Sequence, residues 1–199
     1  MSKVLFVITF VVIGLIILAA VLLTNDHIVN KNTFHLNNKG CFLQGNASVL
    51  FFNSDDNTVK YEIDEKTKGN FKIEEENGNI LLYQNIRANI YVKLFDRNKD
   101  YPVIKVFLPK DMNQFDFKLS GNGDFIFKNP FTINHSVFKL DGNGDISSRE
   151  KLTIQHCVIE IQKNGDVKFN KITGDTLQYK ITDNGDMKIS GEFLIQEKL

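Results

Sequence analysis

Four copies of one tripeptide carry most of the chemistry this chain could perform: Asn122-Gly123-Asp124, Asn143-Gly144-Asp145, Asn164-Gly165-Asp166 and Asn184-Gly185-Asp186. Carboxylates and amide oxygens at close spacing are ligands for a hard cation. Asp141-x-Asn143-x-Asp145 matches the first three liganding positions of a calcium-binding helix-loop-helix loop. The match ends there. The sixth position, which needs glycine, is Ile146, and the twelfth, which needs glutamate, is Leu152. Calcium-binding β-roll repeats have a period of about nine residues, whereas the central glycines here are 21, 21 and 20 apart. The other reading is structural. Glycine supplies a positive φ at no steric cost, and Asn or Asp caps its own turn. Equivalent asparagines stacked at strand spacing form an amide ladder. Stacked aspartates would repel, but Lys128, Arg149, Lys168 and Lys188 follow them by two to four residues. We read the twelve residues as structural turns and assign no metal ligand, cofactor site or catalytic residue.

His135 and His156 are one period apart and should stack at a corner, but two imidazoles without further ligands make a weak metal site. There is no Gly-x-Ser-x-Gly elbow and no phosphate loop. The 24 basic residues balance 24 acidic ones, and only Arg87, Arg97 and Arg149 carry a guanidinium. That composition argues against nucleic acid as a partner. Two cysteines, Cys41 and Cys157, are too few for a disulfide framework or a four-cysteine zinc site.

These residues are positioned by strands. Around each turn, apolar residues alternate with polar ones. Phe117, Phe138, Ile159 and Tyr179 share one face with Leu119, Leu140, Ile161 and Ile181, while Lys118, Lys139, Glu160 and Lys180 take the other. A register near 21 is kept when the chain coils back to the same side each turn and its strands pair in parallel. Residues 115–199 are therefore expected to form regular β-solenoid coils. In that frame Cys157 takes the slot of Phe115, Ser136 and Leu177, too far from Cys41 for a bridge. Residues 34–114 have strand-like pieces of less regular spacing and are expected to form a β cap or first coils. Asn77-Gly78-Asn79 is a candidate degenerate copy of the turn.

The segments SGNGDF, DGNGDI and KNGDVK at this spacing, preceded by VIKVFLPKDMNQFDFKL, resemble the bacterial head-GIN domain family, whose members are named as candidate autotransporter adhesins. The resemblance spans about residues 34–199. It implies a right-handed single-stranded parallel β-helix and brings no catalytic residues.

Residues 4–23 form an uncharged apolar run that would span about 30 Å as a helix, the thickness of a bilayer core. A cleavable signal peptide is the rival reading, but its apolar region should be shorter and end in a small-x-small site. An uncleaved transmembrane anchor is expected, with a cytoplasmic tail at 1–3 and a tether at 24–33. Lys3 before the run and Asp26 after it orient the rest outside the cytoplasm of a bacterial inner membrane. The resulting expectation is an all-β, membrane-anchored binding or scaffolding surface for an envelope glycan or protein. The alternative is a polysaccharide-processing enzyme, which needs a deep cleft with paired acid and base groups.

Overall fold

The computed structural model describes residues 29–34, 39–56, 58–64, 69–85 and 102–199. The apolar run at 4–23 lies outside them. Among the described residues every regular element is a β-strand, and no helix is long and apolar enough to cross a membrane.

The 14 strands among the described residues belong to one curled sheet. Its first wall stacks Ser48–Asn53 (β3), Asp124–Phe127 (β10), Ile146–Gln162 (β12), Val167–Ile181 (β13) and Met187–Lys198 (β14), all in parallel. Val49, Phe125, Ile146, Val167 and Met187 lie side by side in it. The second wall begins with Gly40–Gln44 (β2), Asp116–Gly121 (β9) and Phe131–Gly142 (β11), then continues through the far ends of β12 and β13. There Cys41, Phe117, Phe138, Ile159 and Tyr179 are aligned. Asp111–Gln114 (β8) pairs with the start of β11. The pairing is parallel and keeps the sequence period: Phe138 lies beside Ile159, 21 residues on.

Alternation makes one face of each strand apolar, and the curl turns those faces inward. Phe127 and five neighbouring phenylalanines fill the centre. Phe127 contacts the rings of Phe51, Phe117, Phe131, Phe138 and Phe169 at centroid distances of 5.0, 4.9, 5.8, 6.1 and 6.4 Å. Phe117 stacks flat on Phe138 at 5.0 Å, one strand further along.

Pairing turns antiparallel at the other end of the stack. Val103–Leu108 (β7) runs parallel to β3, but Val59–Asp64 (β4) pairs antiparallel with β7, and Val29–Phe34 (β1) with β4. Asn79–Gln84 (β6) runs parallel to β2, and Phe71–Glu76 (β5) folds back on β6. Asn77 and Gly78, with φ of 52° and 78°, form the tight turn of that β5–β6 hairpin. Asn77-Gly78-Asn79 is thus a hairpin turn and not a copy of the repeated one.

Candidate binding surface along the asparagine edge

The stack brings the repeated asparagines into a single row. Nδ2 of Asn143 donates to Oδ1 of Asn122 at 2.8 Å, Asn164 to Asn143 at 3.0 Å, and Asn184 to Asn164 at 3.3 Å. The row has a fifth member that the sequence period misses. Asn122 donates from Nδ2 to Oδ1 of Asn46 at 3.1 Å, although the two are 76 residues apart. The signal was present: LQGNASVLF from Leu43 matches LSGNGDFIF from Leu119 at Leu, Gly, Asn and the final Phe.

The aspartates make a second row. Oδ1 of Asp124 accepts the backbone N–H of Asp145 at 2.9 Å, Asp145 that of Asp166 at 3.1 Å, and Asp166 that of Asp186 at 3.0 Å. Each carboxylate thus ties its own repeat to the next. Lys168 bridges Asp145 and Asp166 at 3.3 and 2.9 Å, and Lys188 meets Asp186 at 3.2 Å. Of the four cations expected to offset this row, these two do so; Lys128 and Arg149 make no ion pair with it. Electrostatics differ along the row. Partial burial raises the Asp124 carboxyl above the ordinary carboxylate range, against the hydrogen bond from Asp145 that lowers it. The hydrogen bond from Lys168 holds Asp166 below that range, and the same contact raises Lys168.

The glycines act differently from the sequence expectation. A Cβ on Gly144 would overlap the carbonyl oxygen of Gly123, so this residue is needed for close approach of successive turns. Positive φ falls instead on the residue before the asparagine: Gly45 at 146° and Gly121 at 127°. Lys163 occupies the same slot with φ 76°, a conformation that strains a side chain-bearing residue. Its Nζ pairs with Asp141 at 2.9 Å.

Beside the row lies a groove of about 560 Å³ on the outer face of the second wall. Tyr83, an exposed aromatic at 36% exposure, stands over it. Asn122, Asn143, Asp141, Lys163 and Gln44 supply polar groups from four other segments. Gln84 supports the near rim by accepting the N–H of Asn46 at 2.9 Å. Aromatic faces suit the C–H faces of a sugar ring, and planar amides and carboxylates suit its hydroxyls.

His135 and His156 stack at 4.6 Å, and Nδ1 of His156 lies 3.0 Å from the Thr176 hydroxyl. Among the described residues no three His, Cys, Asp or Glu side chains are grouped to hold a metal ion. Cys41 and Cys157 are free and buried, and burial pushes both thiols far above their ordinary range.

No family model and no curated relative matches the chain. Solved structures with some likeness include a candidate lipid-binding protein of Parabacteroides distasonis, 14% identical, with a TM-score of 0.31, covering 86% of this chain and 97% of the other. A candidate adhesin of the same species is 12% identical, with a TM-score of 0.32, covering 87% and 98%. A candidate cell-adhesion protein of Clostridium sporogenes is 10% identical, with a TM-score of 0.37, covering 85% and 98%. Likeness at this level assigns no function to this chain.

Proposed function

We propose that this chain is a membrane-anchored, extracytoplasmic β-solenoid of the right-handed, single-stranded kind, and that it binds envelope glycan on its outer face. Residues 4–23 supply the anchor, 24–33 the tether, and the stacked repeats a rigid platform. One observation carries the binding assignment. Lys163 adopts a strained positive φ in a slot that glycine fills at Gly45 and Gly121, and its ammonium then reaches Asp141 inside the Tyr83 groove. Backbone strain of this kind costs about 1–3 kcal/mol and concentrates at functional sites. The groove offers a stacking ring, amide donors and acceptors, and a paired carboxylate, which together suit a neutral sugar held by hydroxyl contacts. Asp141 is tied to Lys163, so the groove lacks a free acid and base on opposite sides of a bond to be cut.

The test uses the full-length protein in detergent on a glycan array, with reducing ends assayed in parallel. We expect binding without turnover, weakened at least tenfold by Tyr83→Ala. Turnover of a bound glycan would make the chain an enzyme instead, and absence of any glycan binding would reject the reading. Fractionation tests the anchor: the protein should stay with membranes through salt washing, and release by salt would refute it.

A further inference from the structure

The outer lysines of the stack fall into two groups. Lys139, Lys163, Lys168 and Lys188 each have a carboxylate within 3.3 Å. Other outer cations do not, and four of these are grouped together. Lys128, Arg149, Lys151 and Lys171 are all exposed, and none makes an ion pair among the described residues. They sit at one corner, where the chain leaves the first wall, in three successive repeats.

The register fixes their arrangement. Phe127 lies beside Ser148, so the residues that follow, Lys128 and Arg149, are neighbours across the strands. Lys151 and Lys171 are direct register partners. The four charges therefore form a staggered line along the stack: two register pairs, each about one strand spacing of 4.8 Å apart, joined where Arg149 and Lys151 lie two residues apart on the same strand. Like charges placed directly opposite destabilise a sheet. Glu150 is the only acid on the same corner segments, so the line keeps a net charge near three positive. It ends where Asp55 and Asp56 follow Asn53, and Asp56 is already held by Lys60 at 2.6 Å.

A groove of about 640 Å³ runs beside the line, within the range of about 300–1,000 Å³ usual for ligand sites. Lys128, Arg149 and Lys168 line it together with Ser147, Glu150, the amide of Asn170 and Asp145, whose carboxylate is paired with Lys168. It shares no residue with the Tyr83 groove.

We infer that this corner binds a linear acidic polysaccharide, laid along the stack so that successive sugar carboxylates meet successive cations. The observations favour this occupant over the flat surface of a membrane because the cations form a line and not a face. They favour it over nucleic acid because only one of the four is an arginine, the side chain suited to bidentate phosphate contact. Ser147 and Asn170 supply the uncharged contacts that sugar hydroxyls need. This is a second site, with a ligand chemistry different from that proposed for the Tyr83 groove.

The experiment measures binding of the full-length protein in neutral detergent to polygalacturonate, to neutral dextran of equal length, to single-stranded DNA and to anionic phosphatidylglycerol vesicles. Polygalacturonate should bind, with affinity falling as salt rises, whereas any binding of dextran should be insensitive to salt and to the loss of these four cations. Lys151→Gln with Lys171→Gln should weaken binding at least tenfold while leaving the melting temperature unchanged or higher, since repulsion is relieved. Arg149→Gln alone should weaken it several-fold, which keeps the test open if the double variant folds poorly. The control pair Lys105→Gln and Lys139→Gln, which removes lysines already paired with Glu62 and Glu160, should change binding less than twofold. Equal loss in the control, equal binding to DNA, or preference for vesicles would overturn the inference. Failure of polygalacturonate with glycans on the array still bound would overturn this inference and leave the Tyr83 groove standing, whereas failure of polygalacturonate and of every glycan on the array would remove both.

Discussion

At the scale of single residues, the repeated Asn-Gly-Asp turn divides its work among three positions. Asparagine links repeats side chain to side chain, aspartate links its carboxylate to the next backbone, and glycine lets the turns touch. Asn143 makes two ladder bonds and Asn184 one. At about 0.5–1.5 kcal/mol per bond, and at the low end for exposed groups, Asn143→Ala should cost about twice what Asn184→Ala does in urea unfolding. Gly144→Val must push its side chain into the Gly123 carbonyl and should cost about 1–3 kcal/mol or more. The aspartates give a contrasting pair. Asp124 has a raised pKa when folded, so its contribution is favourable only at low pH and is lost as pH rises through the folded value. Asp166 has a lowered pKa, so its contribution is present above the ordinary carboxylate range and is lost as pH falls. At pH 7, Asp124→Asn should hold or raise the melting temperature and Asp166→Asn should lower it. Shifts of the same sign would show that the Lys168 contact and the burial of Asp124 are misassigned. Little of this division was legible beforehand. The sequence displays the asparagines and aspartates, but a carboxylate's acceptance of an amide proton from the next repeat depends on which way the turn faces.

At the scale of elements, the strands and their parallel register were the most legible part, because period two and period 21 act on the same residues. Ser136 and Leu177 flank Cys157 in the sheet, as the alignment of repeats predicts. Cys41 instead aligns with Phe117, Phe138 and Ile159, three strand spacings from the strand of Cys157, roughly 14 Å away. That exceeds the reach of a disulfide. Neither thiol should react with a maleimide in the native protein, both should react in denaturant, and the native mass should show no loss of two protons. The β2–β3 copy of the repeat was missed for a physical reason. Ala47 and Ser48 replace the Gly-Asp of the turn, and strands β4 to β8 intervene before the next copy, so spacing no longer reveals it. Its Asn46 and Phe51 nonetheless join the same ladder and the same core.

At the scale of the whole molecule, the aromatic centre and the two edge rows hold one sheet in a curl, and both candidate grooves lie on the outside of that curl. Phe127, with five ring neighbours, is the residue on which the two walls converge. Phe127→Ala should cost about 3–5 kcal/mol, a large share of the stability of a domain this size, read as a lowered urea midpoint. Every functional proposal depends on the stacking that sets residues 21 apart side by side, and cysteine pairs read that stacking directly. His135 and His156 are adjacent register partners, whereas Gln114 and His156 lie two strands apart, roughly 10 Å. Under mild oxidation, His135→Cys with His156→Cys should form a bridge, seen by mass spectrometry as a linked peptide and a loss of two protons. Gln114→Cys with His156→Cys should stay reduced. The reverse pattern, or no bridge in the first pair, would contradict the stacked register and every site built on it.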